Sequence, residues 1–399
     1  MAQGPLSIGS MPPSEAFDSA RHRQEKAHLM KRMDRKNGKW GTSHPRYRLL
    51  EALFGFNNYT ERNMVELGRW RSLYNNVGKK QKRILERRVE YRKKLDDIEE
   101  LIHTNGAICK SIVASAMQFY RIDQQELDDH MKQASQDGRL ADKMSVTQTL
   151  KHFVRDWADE GVKERNEAFP CILSTLDMLK VELSEGKPLK VLLPGSGLGR
   201  LGHEVANLGG FEVTVNEWSM YMNIGYRHME TYRNRKFFAI HPFIDGMSHH
   251  ATTDDMLREI TAPNAPLNPG VLLVEGDFNT AFNGQEGHYD IIVTHFFIDT
   301  ARNLMAYLDT IHRLLRRGGR WVNFGPLLYG TGPFVQLSLD EIIAVVDEMG
   351  FEFEDLADEC GSLTFPEKKV RSKEAGYGFN KRALTRNAYL AQVWVAKKN

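Results

Sequence analysis

Three glycines at alternate positions, Gly195, Gly197 and Gly199, follow an apolar stretch at residues 190–193. The apolar stretch predicts a buried strand, and the segment after the glycines predicts a helix. Glycine permits a tight strand-to-helix turn and lets a ligand approach the bare backbone. The amides at the start of a helix favour a negatively charged or polar ligand. The sequence therefore predicts an α/β fold with a ligand site at this turn.

A second apolar stretch, residues 211–215, predicts the next strand, and it ends in Asn216-Glu217-Trp218. Glu217 lies twenty residues beyond Gly197. In nucleotide-binding α/β folds, an acid at this spacing holds the hydroxyls of a ribose. We therefore predict an adenosine-containing cofactor. The alternative is that Glu217 is an ordinary surface acid.

The composition of the chain fits a protein with one or two large folded units. The chain has 399 residues, 41% of them hydrophobic, and a formal net charge of +2. Residues 1–100 carry 22 Lys and Arg against 13 Asp and Glu. This basic portion could contact an acidic surface or nucleic acid, but a solvated helical face is the more ordinary explanation. We expect no nucleic-acid partner.

The three cysteines, Cys109, Cys171 and Cys360, are scattered and form no Cys-x-x-Cys pair. We therefore expect neither a zinc knuckle nor a disulfide framework, and a reduced compartment, cytoplasmic or nuclear, fits this pattern. The N-terminal residues lack the basic and apolar regions of a signal peptide. No apolar run approaches the roughly 18 residues that span a bilayer, so we expect no membrane partner.

Alternating strand and helix patterns over residues 146–399 predict an α/β domain. It follows a helical region at residues 45–145 and a flexible basic arm at residues 1–44. Seven strands are expected, at residues 190–193, 211–215, 270–275, 289–294, 320–324, 351–355 and 389–396. The alternation is typical of a Rossmann-like sheet.

Residues 79–101 predict one long charged helix with Ile84, Leu85, Val89, Leu95, Ile98 and Leu101 at helical spacing. We interpret this stripe as a packing face, and the helical region could also form a homodimer. A polar insert at residues 235–269 carries His241, His249 and His250. These histidines have no fixed spacing to an acid, so we interpret them as loop residues and expect no metal.

The glycine turn alone does not identify the cofactor, because Gly197, Gly199 and Gly202 also satisfy the G-x-G-x-x-G pattern of nicotinamide dinucleotide folds. Asp277 and Phe278 stand together after the third predicted strand. There an acid could accept the adenine amine, and an aromatic ring could face the purine. We favour S-adenosyl-L-methionine, with S-adenosyl-L-homocysteine as its product. As an alternative, Asp277 caps a turn and Phe278 belongs to the core.

Five segments in this order, VLLPGSGLGRLG, VNEWS, GDF, FFIDTARN and NFGPLLY, resemble the carnosine N-methyltransferases, and so does Arg155-Asp156-Trp157. The resemblance covers residues 46–399. It implies a seven-stranded Rossmann-like class I methyltransferase that uses S-adenosylmethionine. It also implies methylation of an imidazole nitrogen of a histidine-containing dipeptide such as carnosine, giving anserine. The alternatives are an NAD-dependent oxidoreductase and a non-catalytic methyltransferase-like scaffold.

The resemblance also implies the residues of the site. The cofactor set is His152, Arg155, Gly195, Gly197, Glu217, Asp277, Phe278 and His295. The substrate set is Asp299, Tyr377 and Tyr389. Two positions depart from the family: His152 stands where the family has Gln, and Gly330 stands where the family has His. The second departure bears on the substrate.

Arg155 is expected to bind the methionine carboxylate of the cofactor through charge-assisted hydrogen bonds, with an ion pair to Asp159 as the alternative. Asp299 is expected to accept the N–H of the substrate imidazole. That contact would fix the tautomer, aim the free lone pair at the methyl group and let the carboxylate take the proton. Asp299 could instead cap the following helix. Tyr377 and Tyr389 are expected to bind the peptide or carboxylate end, although Tyr389 could equally be a core or edge residue.

Overall fold

A nine-stranded sheet lies at the centre of the chain and is flanked by helices in this computed structural model. The structure describes residues 18–184, 186–231, 237–330, 332–365, 367 and 369–399. The helices are α1 Ala20–Met33, α2 Pro45–Asn57, α3 Tyr59–Tyr74, α4 Lys79–Val89, α5 Tyr91–Tyr120, α6 Gln124–Gln136, α7 Lys143–Trp157, α8 Val162–Leu183, α9 Arg200–Asn207, α10 Met220–Glu230, α11 Thr253–Leu257, α12 Phe278–Ala281, α13 Leu304–Leu314 and α14 Leu339–Glu348. The strands are β1 Leu189–Pro194, β2 Phe211–Glu217, β3 Phe238–Ile240, β4 Ile260–Ala262, β5 Leu272–Glu275, β6 Tyr289–His295, β7 Leu315–Gly325, β8 Phe351–Glu354, β9 Ser362–Leu363, β10 Arg371–Gly376 and β11 Ala388–Lys398.

The strands of the central sheet follow the order β5-β2-β1-β6-β7-β11-β10-β9, and β8 also pairs with β11. The first five run parallel, and β11 runs antiparallel to β7. All seven predicted strands are present, but the predicted count is two short, because β9 and β10 join the sheet. β10 reads Arg-Ser-Lys-Glu-Ala-Gly and buries only Ala375, so pairing with β11 and not an apolar pattern makes it a strand.

The side chains of β1 alternate between two hydrophobic cores. Val191 and Leu193 pack in the core shared with the N-terminal helices, and Leu192 packs in the core shared with α13 and α14. Successive residues of a strand point to opposite faces of the sheet, so both faces are covered. Helix α9 packs closely on β2, because a Cβ on Gly202 would lie 2.3 Å from Val215 Cγ1. This packing fixes where α9 begins beside the glycine turn.

The N-terminal helices pack against one another and against α10, with α5 contacting α2, α3 and α10. The predicted single helix over residues 79–101 is wrong: Glu90, with φ +46°, separates α4 from α5. Leu95 and Ile98 of the predicted stripe are buried in the core, whereas Ile84 and Val89 on α4 are exposed. The packing face therefore belongs to α5 alone.

The predicted flexible arm is wrong for residues 20–33, which form α1 against the β5 edge of the sheet. Leu29 and Met33 are buried there. Arg21 Nη2 donates to Val213 O at 3.2 Å, and His22 Nε2 donates to Val271 O at 3.0 Å. Backbone carbonyls at a sheet edge are strong acceptors, which a basic helix can use. Residues 1–17 of the predicted arm lie outside the described residues.

The polar insert contains the two-stranded β3–β4 sheet and α11, and its residues 235 and 236 lie outside the described part. His241 Nδ1 donates to Leu257 O at 2.7 Å, and His250 Nε2 donates to Gly246 O at 3.2 Å. Two of the three histidines thus bind backbone carbonyls. Within the described ranges, no group of three or more His, Cys, Asp or Glu side chains could hold a metal ion.

The expectation that the cysteines form no disulfide is wrong, because Cys171 on α8 and Cys360 are bonded, while Cys109 is buried and free. The paired cysteines are 189 residues apart, so sequence spacing gives no signal for the bridge. Among the helices that the structure describes, none combines the length and the hydropathy needed to cross a membrane.

Candidate active site

The predicted glycine turn connects β1 to α9 and uses the special conformations of its glycines. Gly195, Gly197 and Gly199 all have left-handed backbone, with φ of +63°, +57° and +79°. A Cβ on Gly195 would also lie 2.2 Å from Phe297 Cδ2. A residue with a side chain would strain this backbone at all three positions, and at Gly195 it would also collide with Phe297.

Glu217 is the last residue of β2, and its carboxylate faces the glycine turn. It accepts hydrogen bonds from Gly197 N at 2.8 Å and from Ser219 N at 2.7 Å. Burial raises the pKa of Glu217, and the two amides lower it. The alternative of an ordinary surface acid is therefore wrong, since the carboxylate is built into the turn.

Helix α7 faces the glycine turn with His152 and, one helical turn later, with Arg155 and Asp156. Together with the glycine turn it encloses a cavity of about 70 Å³. The cavity is lined by His152, Arg155, Asp156, Phe169, Leu193, Pro194, Gly195, Ser196, Gly197, Arg200, Leu201, Gly202, Val293, His295, Phe296 and Tyr377. Five predicted cofactor residues and one predicted substrate residue thus meet here.

Arg155 and His152 both lie near acids in this cavity. Arg155 Nε is 4.0 Å from Glu164 Oε2, and the alternative pairing with Asp159 is wrong. His152 Nδ1 is 3.7 Å from Asp156 Oδ2, which is longer than a hydrogen bond. Both side chains are mostly buried but keep polar groups at the cavity.

Three buried polar atoms around the cavity have no hydrogen-bond partner among the described residues: His152 Nδ1, Ser196 Oγ and His295 Nε2. Buried polar atoms are normally satisfied, so their convergence marks a place for a polar ligand. Glu217 does not line this cavity, but its carboxylate binds the turn at Gly197 N, and together with the bare glycine backbone these residues fit S-adenosylmethionine. Ligand pockets usually measure about 300–1,000 Å³, so this cavity would hold only part of the cofactor.

His295 is the last residue of β6, the strand that pairs with β1, and it lines the cavity. Burial, with a smaller contribution from the nearby Arg155 guanidinium, lowers its pKa to about 3. Its ring lies edge-on to Phe169 at 5.7 Å between centroids. The imidazole is therefore neutral at physiological pH and can present one donor and one acceptor.

Asp277 caps a helix and Phe278 belongs to the core, which are the roles given above as the alternative to adenine binding. Asp277 is the N-cap of α12 and accepts from Asn279 N at 2.9 Å. Phe278 is 2% exposed and packs edge-on against Phe297 at 5.5 Å. Neither residue lines the 70 Å³ cavity. Their contact with adenine remains a prediction, for which the exposed Asp277 side chain leaves room.

An aromatic group covers the cavity on the side of the C-terminal strands. Tyr377 stacks on Phe296 at 5.0 Å, and Tyr389 meets Phe296 at 6.0 Å. The Arg155 guanidinium carbon lies 4.2 Å from the centre of the Tyr377 ring. The two predicted substrate tyrosines are thus brought together with a predicted cofactor residue. Phe296, with φ +52°, was not predicted, and no pattern in the sequence indicates its left-handed backbone.

Two acids of α8 hold the segment that carries Tyr377. Glu164 Oε1 accepts from Gly378 N at 2.9 Å and from Phe379 N at 2.8 Å. Glu167 Oε2 accepts from Gly376 N at 2.7 Å. These acids were missed because they lie more than 200 residues from the amides that they bind.

Asp299 lies in a single 3-10 turn, Ile298–Thr300, after β6. Its buried carboxylate accepts from Leu328 N at 2.9 Å, and burial raises its pKa. The alternative that Asp299 caps the next helix is wrong, because Asn303 is the N-cap of α13. Asp299 does not line the cavity, so the structure connects it to the segment after β7 and not directly to the glycine turn. Gly330 in that segment is exposed, with no atom within 4 Å of where a Cβ would stand.

The sheet order, the glycine turn and the strand-end acid together define a Rossmann-like class I methyltransferase. The strands β5, β2, β1, β6 and β7 are parallel, and β11 lies antiparallel beside β7, followed by β8. Ligands of such sheets bind at the carboxyl ends of the strands, where Glu217 and His295 stand.

Comparison with known proteins identifies the family. A family model described as "Carnosine N-methyltransferase" matches residues 132–399. A relative named carnosine N-methyltransferase from Schizosaccharomyces pombe is 31% identical over 332 residues, which cover 76% of this chain and 83% of the relative. The mouse protein of the same name is 32% identical over 272 residues, 65% of this chain and 67% of that protein. The chain therefore belongs to the carnosine N-methyltransferase family.

Solved structures resemble this chain only distantly. An S-adenosylmethionine-dependent methyltransferase from Thermotoga maritima shares 13% sequence identity and a TM-score of 0.34, over 64% of this chain and 100% of that one.

Proposed function

We propose that this chain is an S-adenosylmethionine-dependent N-methyltransferase that methylates an imidazole nitrogen of a histidine-containing dipeptide such as carnosine, giving anserine. The observation that carries the proposal is the meeting of Arg155, Tyr377 and the glycine turn at one cavity. Family membership supports the same reaction. An oxidoreductase or a non-catalytic scaffold has no comparable support.

The cofactor residues follow from the groups that the site presents. Arg155 would bind the carboxylate of the methionine portion, because a guanidinium and a carboxylate form strong charge-assisted bonds. Glu217 would accept the ribose hydroxyls, with Asp277 and Phe278 at the adenine. When bound, S-adenosylmethionine supplies a methyl group that its sulfonium already activates, so the protein mainly aligns the reactants and excludes water.

Asp299 would orient the substrate and receive a proton. An imidazole has an ordinary pKa near 6.5, so it is largely neutral at cellular pH and carries one N–H and one free lone pair. The carboxylate accepts that N–H, which leaves the lone pair of the other nitrogen free to form the new N–C bond. The ring is then cationic, and Asp299, whose pKa is raised by burial, can take the N–H proton.

Tyr377 and Tyr389 would hold the rest of the dipeptide. Both are half-buried and stand on the β10–β11 hairpin beside Phe296. Their hydroxyl groups suit the peptide bond or the terminal carboxylate, and their rings suit the aliphatic portion.

The direct test is incubation of the purified chain with methyl-labelled S-adenosylmethionine and carnosine, followed by mass spectrometry and NMR of the product. We expect label on one imidazole nitrogen, and anserine as the product. Related histidine dipeptides serve as comparison substrates. Binding of S-adenosylhomocysteine without methylation of any histidine dipeptide would contradict the proposed substrate class.

A further inference from the structure

Arg48 on α2 reaches the strand end that carries Glu217, although it belongs to the N-terminal helical region. Its guanidinium carbon lies 3.6 Å from the centre of the Trp218 ring, and Nη2 donates to the carbonyl oxygen of Trp218. Trp218 directly follows Glu217 and is 56% exposed. A cation over an indole face is a favourable contact, so Arg48 fixes this exposed ring.

Helix α2 is held firmly against this part of the α/β domain. Tyr221 at the start of α10 donates to Glu51 O at 3.2 Å. Its ring packs against Phe56 at 6.1 Å between centroids, and a Cβ on Gly55 would lie 2.8 Å from Tyr221 Cε1. The close contact leaves α2 little freedom to move relative to α10, and Arg48 is positioned accordingly.

The charges around Arg48 belong to the predicted cofactor residues. Burial lowers the pKa of Arg48 to about 10, and the carboxylates of Glu217 and Asp277 oppose this decrease. Arg48 therefore remains a cation at physiological pH. Across the part of the chain that the structure describes, no carboxylate lies within 4.0 Å of its guanidinium nitrogens. The Arg48 guanidinium therefore interacts electrostatically with Glu217 and Asp277 but forms no ion pair with either carboxylate.

We propose that Arg48 is a positioning residue for the cofactor: it braces Trp218 and supplies the positive charge that keeps Glu217 and Asp277 together as acceptors at the adenosine end. This inference rests on the proposed function. It makes the N-terminal helical region part of the cofactor site. Two carboxylates on neighbouring strand ends repel each other, and a nearby cation reduces that repulsion.

The test compares three variants by calorimetric titration with S-adenosylhomocysteine. Arg48→Met keeps an unbranched side chain and removes the charge, and we expect a Kd about tenfold higher, as for loss of one charge-assisted interaction. Arg48→Lys keeps the charge and should recover most of the affinity. Arg46→Met is the matched control on the same helix, because Arg46 pairs with Glu126 and not with the site. We expect its Kd to stay at the wild-type value.

Steady-state kinetics separate positioning from a general loss of structure. At saturating cofactor, Arg48→Met should keep the kcat and the KM for carnosine while its KM for S-adenosylmethionine rises. An unchanged Kd in Arg48→Met, or an equal loss in Arg46→Met, would overturn the inference and leave the proposed function intact. A wild-type chain that does not bind S-adenosylhomocysteine would overturn both.

Discussion

On the proposed cofactor side of the site, the glycine turn and the Glu217 carboxylate that accepts from Gly197 N come from one local segment, residues 195–217. On the substrate side, Phe296, Tyr377 and Tyr389 come from three separate segments, and Glu164 and Glu167 of α8 hold one of these segments in place. The first side depends on glycine conformations that local sequence dictates. The second depends on the tertiary fold, and variants should affect the two sides independently.

The largest effect should come from Asp299→Asn, which keeps an oxygen to accept the Leu328 amide and removes the proton acceptor. We expect kcat for carnosine methylation to fall about 10²- to 10⁴-fold, as for loss of a general base. The Kd of S-adenosylhomocysteine should not change. Turnover assays and calorimetry on the same preparation measure both. Full activity in this variant would remove Asp299 from the mechanism.

Gly195→Ala should damage the cofactor side alone. The new Cβ would lie 2.2 Å from Phe297 Cδ2 on a backbone with φ +63°. We expect roughly a 100-fold loss of affinity for S-adenosylhomocysteine, from backbone strain and overpacking together.

Gly209→Ala is the matched control for that variant. Gly209 has a similar φ of +71° but no atom within 4 Å of a new Cβ. It should lose stability in a thermal unfolding scan and keep its affinity for S-adenosylhomocysteine. Equal losses of affinity in the two variants would show that strain, and not the shape of the turn, causes the effect.

Glu167→Ala should weaken only the substrate side. The Gly376 amide beside Tyr377 loses its acceptor, which costs about 1–3 kcal/mol when such a group stays unpaired. We expect the KM for carnosine to rise about tenfold while the Kd of S-adenosylhomocysteine is retained. Asp177→Ala, on the same helix but paired with Lys180, is the control. A matching increase of KM in the control would argue against a specific role for Glu167.

The smallest effect should be a pH dependence of cofactor binding. Burial raises the pKa of Glu217, and ribose hydroxyls donate best to the ionised carboxylate. Affinity for S-adenosylhomocysteine should therefore be full above this raised pKa and decline as the pH falls through it. The decline should begin at a higher pH than an ordinary glutamate would give.

Glu217→Gln tests whether the Glu217 carboxylate itself causes that dependence. The variant should bind more weakly at neutral pH and show no such decline in a titration series. An identical decline in this variant would assign the pH dependence to another group.

The parts of the fold that sequence predicts well are those whose signals are local. The seven strands and the Gly195–Gly199 turn follow from apolar stretches and glycine spacing, and all seven strands are present. β10 could not be predicted, because its polar residues are held by pairing with β11. The Cys171–Cys360 bridge and the Glu167 contact likewise join residues whose proximity only the folded chain creates.

The candidate site likewise contains residues that local sequence predicts and residues that only the folded chain brings together. Glu217 could be placed beside the glycine turn from its spacing alone, and it binds Gly197 N. The positions of Tyr377 and Tyr389 came from the resemblance to a family, since their spacing carries no geometric signal. Arg48 was not predicted to approach the site, because nothing in α2 indicates which part of the sheet it covers.

The most direct test of the proposed role of Asp299 is a crystal structure of the chain with S-adenosylhomocysteine and carnosine bound. We expect Asp299 within about 3 Å of the imidazole N–H, the other ring nitrogen facing the sulfur, and Glu217 at the ribose hydroxyls. A dipeptide bound with its imidazole away from both the sulfur and Asp299 would contradict this mechanism.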